Sequence, residues 1–308
     1  MNRTRITMAF PYLTDAINAL FGTHWHLPLP TFGIIVAVAV VVAAFVAVRL
    51  VRRYEEIDRL PPLAHTHVTD MVLVATLFGI FGARVFDILD NFDRFIANPM
   101  SMIFTRAGFS IYGGLCFGIA AGVIFVRRRS LPIVPMLDAT APALMLGYGI
   151  GRLGCQISGD GDWGVAANLL LKPSWLPSWL WAQTYDGNIA GVVITAPGVY
   201  PTPIYEFAMA LAIFWILWRL RLHQHGAGYL FSIYLLLAGF ERLLIEKVRI
   251  NTRYDFLGTY LSQAEGISVL LVIAGLIGVL ATLRTQRPWT RAFVSAGVLC
   301  ALSACAPR

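Results

Sequence analysis

An all-α membrane protein of about seven transmembrane helices, with an insert outside the membrane between the fourth and fifth, is the fold class this sequence predicts. Three observations predict it. Hydrophobic residues fill 57% of 308 positions and charged ones only 13%, about half the charged share of a water-facing domain. Apolar runs near the roughly 20 residues that cross a bilayer core recur along the chain. Arginines gather between alternate runs, where a membrane protein keeps them.

The first run, Thr31–Val48, follows Pro28 and Pro30 and is stopped by Arg49, Arg52 and Arg53. No cleavable signal peptide is visible in residues 1–30, so this run reads as a retained helix. Further spans are expected at about residues 69–89, 109–126, 133–153, 202–218, 227–246 and 264–283. Between the fourth and fifth, residues 154–201 form an insert with Trp163, Trp175, Trp179 and Trp181. That aromatic content suits an arm lying at the membrane surface. Residues 1–30 form an outer N-terminal segment, 31–283 the seven-helix domain, and 284–308 a cytoplasmic or interfacial tail.

Orientation follows from arginine placement. Arg49, Arg52, Arg53 and Arg59 follow span one, Arg127, Arg128 and Arg129 follow span three, Arg219 and Arg221 follow span five, and Arg284, Arg287 and Arg291 follow span seven. The insert holds only Lys172. The positive-inside rule puts the arginine loops in the cytoplasm and the N-terminus and insert outside. The formal net charge of +7 therefore belongs to membrane topology. With Lys172 and Lys247 the only lysines, it builds no polybasic nucleic-acid surface. Cys116, Cys155, Cys300 and Cys305 include no CxxC pair and frame neither a disulfide scaffold nor a zinc site. The apolar stretch Ala292–Ala306 ends Leu302-Ser303-Ala304-Cys305, which reads either as a lipobox or as a weak interfacial tail that matches one by chance.

Ionisable residues inside spans are costly unless paired or facing a wet cavity, so each is a functional candidate. Arg84 with Asp87 one turn on, Arg152, Glu206, Arg242 and Glu246 all fall near outward helix ends, and Asp138 near a cytoplasmic one. Arg242 and Glu246, four apart, share a helix face and can pair. Arginines gathered at the outer leaflet suit an anion such as a phospholipid head group, because guanidinium offers forked donors to phosphate. The bland alternative is that they snorkel or pair with nearby carboxylates to hold the bundle. The segment Gly147–Gly164 carries seven glycines in eighteen residues around Arg152, Asp160 and Asp162. Such a turn either lets backbone approach a ligand closely or packs helices through Gly147, Gly151 and Gly154.

At these residues the chain resembles the prolipoprotein diacylglyceryl transferase family. The resemblance is carried by Gly151-Arg152-Leu153-Gly154, a polar turn and Trp163-Gly164. Thr31-Phe32-Gly33, Gly82-Ala83-Arg84, Gly113-Gly114-Leu115, Asp138 with Ala141-Pro142, Pro201-Thr202 with Tyr205-Glu206, and Arg242 with Glu246 support it in order across residues 30–283. Three departures stand out. Tyr112 replaces the family's usual His, Cys155 its usual Asn, and Asp160, in a slightly longer turn, its usual Glu. Either Tyr112 takes the proposed base role of that His, or the family does not need one, or the chain is a silent relative.

The resemblance implies a multi-pass protein of the bacterial inner (cytoplasmic) membrane, with periplasmic N-terminus and insert and a cytoplasmic C-terminus. It implies transfer of the diacylglyceryl group of phosphatidylglycerol to the lipobox cysteine of preprolipoproteins, releasing glycerol 1-phosphate, with no cofactor or metal. Signal peptides of those substrates and membrane lipids would be its partners. The implied catalytic residues are Arg152, Arg242, Tyr112, Asp160 and Glu246. Phosphatidylglycerol would be held by Arg152, Gly154, Arg84, Arg242, Tyr205 and Glu206. A transporter would instead set its charges at the bilayer midplane with paired broken helices, and no internal repeat is visible.

Overall fold

Long apolar segments free of helix-breaking residues become helices because in lipid every backbone polar group needs a partner within the chain. The computed structural model describes residues 9–103, 110–221, 226–251, 253–256 and 259–285. The expectations for the lipobox-like tail fall outside these residues. In chain order the helices are α1 (Leu13–Phe21), α2 (Thr31–Glu56), α3 (Val68–Asp90), α4 (Phe92–Ala97), α5 (Pro99–Ile103), α6 (Ile111–Arg128), α7 (Ile133–Ser158), α8 (Thr202–Leu220), α9 (Tyr229–Ile245) and α10 (Gln263–Thr285). Strands β1 (Arg253–Phe256) and β2 (Thr259–Ser262) pair as a small antiparallel hairpin before α10.

Among the described residues six helices are long and apolar enough to cross a membrane: α2, α3 with the 3₁₀ turn before it, α6, α7, α8 and α10. The expected sixth span is α9, whose 17 residues sit at the short end of the roughly 17–25 that can span. The protein is thus a multi-pass helical membrane protein, as the apolar runs require.

The chain divides into two units, Met1–Ala43 with Ala141–Arg308, and Ala44–Thr140. In the first, α9 packs along α10 and against α8. Its core gathers Met145 of α7, Ala210, Ile213 and Leu217 of α8 and Leu230 of α9. The insert folds on its own small core of Ala9, Trp163, Tyr185 and Val199, where the Trp163 and Tyr185 rings lie 5.1 Å apart. Leu170, Leu171 and Trp175 of the insert are strongly exposed.

In the second unit α3 and α6 cross at Gly82 and Gly113. A Cβ on Gly113 would stand 2.2 Å from the Gly82 carbonyl oxygen, so only glycine permits this approach. The Ser110 N–H donates to the Ala83 carbonyl at 3.0 Å and ties the start of α6 to the same point. The loop after α2 is pinned by Glu55, which accepts from the His65 backbone N–H at 2.5 Å and pairs with the ring Nδ1 at 2.9 Å.

Candidate functional site: a buried arginine–carboxylate network

The glycine-rich exit of α7 sets the geometry. Asp160 Oδ1 accepts from the Asp162 N–H at 3.2 Å, and the Asp162 carbonyl accepts from the Thr202 hydroxyl at 2.6 Å. These contacts fasten the turn to the start of α8. The segment leaving α9 then pairs with the insert, with Val165 N–H donating to Val248 O at 2.8 Å. A Cβ on Gly164 would lie 2.5 Å from that same oxygen. Glycine here lets the α9 exit come close and brings Arg249 beside Asp162.

Glu206, in the second turn of α8 and fully buried, is the hub. Its Oε2 faces Arg152 Nε at 2.6 Å. Its Oε1 accepts from Arg249 at 2.9 Å and Arg242 at 3.2 Å. Asp162 bridges Arg152, at 2.5 Å, and Arg249. Glu246 pairs with Arg242 at 3.2 Å and accepts from Asn251 at 2.5 Å and Ser262 at 2.6 Å. Three stretches distant in sequence thus meet: the end of α7 with the turn beyond it, the start of α8, and the end of α9 with the segment leaving it. Buried pairs need this much compensation, because taking charges out of water costs several kcal/mol per ion.

Chemically, the network presents arginine donors to an anion. Each guanidinium has five N–H groups, and each of the three spends only part of that set on carboxylates. Arg242, its side chain 22% exposed, is the most accessible. Outside the helices, burial opposes the Asp162 charge, but Arg249 and Arg152 outweigh it and hold the carboxyl below its usual range. Burial and the neighbouring Asp162 charge push Asp160 the other way, upward. Burial alone would lower Arg249, yet Asp162 and Glu206 keep it firmly protonated.

Of the residues singled out from sequence, Arg152, Glu206, Arg242 and Glu246 meet in one network, and the Arg242–Glu246 pair forms as its spacing predicts. Asp160 stands at the network's edge, bonded to the Asp162 backbone. The Tyr205 hydroxyl donates to Leu180 O of the insert at 2.6 Å. Gly147 and Gly154 pack against α2, at Ala43 and at Phe32 with Ile35, whereas Gly151 faces open space. The expected packing face is therefore broken at the residue next to Arg152. Arg84 pairs with Asp87 at 3.2 Å in the other unit, where Tyr112 is exposed beside the Gly82–Gly113 crossing.

Sequence reasoning missed Arg249 and the bridging role of Asp162. Arg249 does lie seven residues after Arg242, on the heptad-spaced face it shares with Glu246, but it falls past the helix end. Ligand atoms of Cys155, Asp160 and Asp162 lie within 4.8 Å of one another. With both Asp162 oxygens already held by guanidinium groups, that set is a poor cation site.

The fold and this site together define a polytopic membrane protein with a buried network of three arginines and three carboxylates. Comparison with known proteins narrows that class. The family model described as prolipoprotein diacylglyceryl transferase matches residues 19–281. The chain is 27% identical over 315 residues to a Leptospira interrogans phosphatidylglycerol–prolipoprotein diacylglyceryl transferase, covering 86% of this chain and 92% of that one. It is 30% identical over 277 residues to one from Lactiplantibacillus plantarum, covering 88% and 89%. With one from Staphylococcus aureus it shares 29% over 244 residues, covering 79% and 81%. The chain belongs to the prolipoprotein diacylglyceryl transferase family, and it is a transferase of the membrane.

Proposed function

We propose that this protein moves the diacylglyceryl group of phosphatidylglycerol onto the lipobox cysteine of preprolipoproteins, with Arg152 and Arg242 holding the phosphate and Arg249 completing the clamp. The observation that carries this reading is the convergence of three arginines on the buried Glu206. The sulfur attacks the glyceryl carbon, the carbon–oxygen bond breaks, and its electron pair leaves on the phosphate of glycerol 1-phosphate. Negative charge grows on that phosphate as the bond breaks, so donors fixed beforehand stabilise the transition state more than the ground state. Glu206, Glu246 and Asp162 keep the guanidinium groups aimed.

Gly154, Arg84 and Tyr205 are proposed contributors to lipid binding, with Tyr205 acting through its hold on the insert. Asp160 is a candidate to orient the turn. Tyr112 is the residue that the family resemblance puts forward to take the thiol proton. A bacterial inner-membrane setting, with the N-terminus and insert in the periplasm and the C-terminus in the cytoplasm, completes the proposal. Arginine placement between the spans supports it.

Complementation of a bacterium depleted of its own diacylglyceryl transferase tests the reading. Wild type should rescue growth, and Arg152→Ala and Arg242→Ala should fail, each losing about 10²–10³-fold in transfer rate. A well-expressed wild type that cannot rescue would make the chain a lipid-binding relative without the activity.

A further inference from the structure

The proposed phosphate clamp leaves a buried acid beside it unused. Glu241 of α9 is 3% exposed, and among the described residues it forms no ion pair, unlike Glu206, Glu246 and Asp162. The Tyr148 hydroxyl of α7 reaches its two carboxylate oxygens at 3.4 and 3.5 Å. Tyr148 is half-buried. The face of its ring carries the Arg152 guanidinium, 5.0 Å from the ring centre. Tyr148 and Arg152 are four residues apart, on one face of α7. The charged and titratable groups facing Glu241 are Tyr148 and Arg152 of α7, Glu206 of α8, and Tyr234 and Arg242 of α9.

We propose, building on the transferase reading, that Glu241 and Tyr148, and not Tyr112, form the proton-accepting pair of this enzyme. Glu206, Glu246 and Asp162 are held by guanidinium groups. The Glu241 carboxylate keeps lone pairs to accept a proton, and the Tyr148 hydroxyl connects it to the arginine that holds the phosphate. As the S–H bond breaks, the Tyr148 oxygen takes that proton and passes its own to Glu241. The sulfur–carbon bond forms, the carbon–oxygen bond breaks with its electrons leaving on phosphate, and Glu241 later returns the proton to the departing phosphate or to water. Tyr148 is the catalytic residue of the pair. Glu241 acts through it.

Full-length protein in lipid nanodiscs, supplied with phosphatidylglycerol and a synthetic lipobox peptide, provides the test, with kcat and KM followed across pH for wild type, Glu241→Gln, Tyr148→Phe and Tyr112→Phe. Glu241→Gln and Tyr148→Phe should each lower kcat by about 10²-fold, leave KM for the lipid within twofold, and remove the acidic limb of the pH profile. Unchanged kcat and pH profile in a folded Glu241→Gln overturns the inference. So does loss of that limb in Tyr112→Phe while Tyr148→Phe keeps it. If Glu241→Gln does not fold, the Tyr148→Phe profile decides alone. A wild type that transfers nothing overturns the transferase reading, and this inference with it, whereas an active wild type with indifferent variants overturns only the inference.

Discussion

At the scale of residues, the site is a balance of three guanidinium groups and three carboxylates, and Glu206 carries the most connections. Removing its charge leaves Arg152, Arg242 and Arg249 sharing one less anion in a buried place. Glu206→Gln should destabilise the protein by about 3–5 kcal/mol, as expected when one partner of a buried pair is lost. Thermal unfolding in detergent micelles would read this as a lowered midpoint, and an unchanged midpoint would remove Glu206 as the hub. Gly164→Ala tests position without touching charge. Its new Cβ meets the Val248 carbonyl, so the α9 exit must shift and carry Arg249 off Asp162. Transfer should fall by about 10-fold or more, a size in keeping with the rate cost of a small displacement near the chemistry. Normal transfer would show that Arg249 need not be held so closely.

At the scale of elements, the turn leaving α7 is fastened to α8 and to the α9 exit largely through Asp162. Its pKa is depressed in the folded state, because Arg249 and Arg152 overcome the burial penalty. The stability this contributes is fully present above the unfolded Asp value of about 3.9 and is lost as pH falls through the lower folded value. The unfolding midpoint should therefore drop at acidic pH below about 4 in wild type, and less steeply in Asp162→Asn. Equal slopes in the two proteins would contradict it. The same elements show what is legible in a sequence. Arg242 and Glu246 declare their pairing through four-residue spacing on one helix. Arg249 declares nothing comparable, since it follows the helix and meets Asp162 only because Gly164 admits the α9 exit.

At the scale of the whole molecule, the apolar runs define a multi-pass chain, and the arginine loops between them are the ground for the proposed orientation. Single cysteines introduced at Ser174 in the insert and at Ser130 after α6, in a protein whose native cysteines are replaced by serine, test it. In intact cells a membrane-impermeant maleimide should label the first and spare the second. The reverse pattern would invert the proposed topology.

The multi-pass helical character and the positions of most ionisable groups along the helices follow from the sequence by itself, because the bilayer makes length and hydropathy decisive. The glycine–arginine segment even marked where the site begins. Which carboxylate neutralises which arginine was decided only by the tertiary structure. Residues 152, 162, 206, 242 and 249 are up to 97 positions apart, and no periodicity relates a turn, the start of one helix and the exit of another. Their meeting depends on close backbone approach at Gly164 and on the packing of α8 against α9. The contact of Tyr148 with Glu241, 93 positions apart, is likewise a property of the packed bundle.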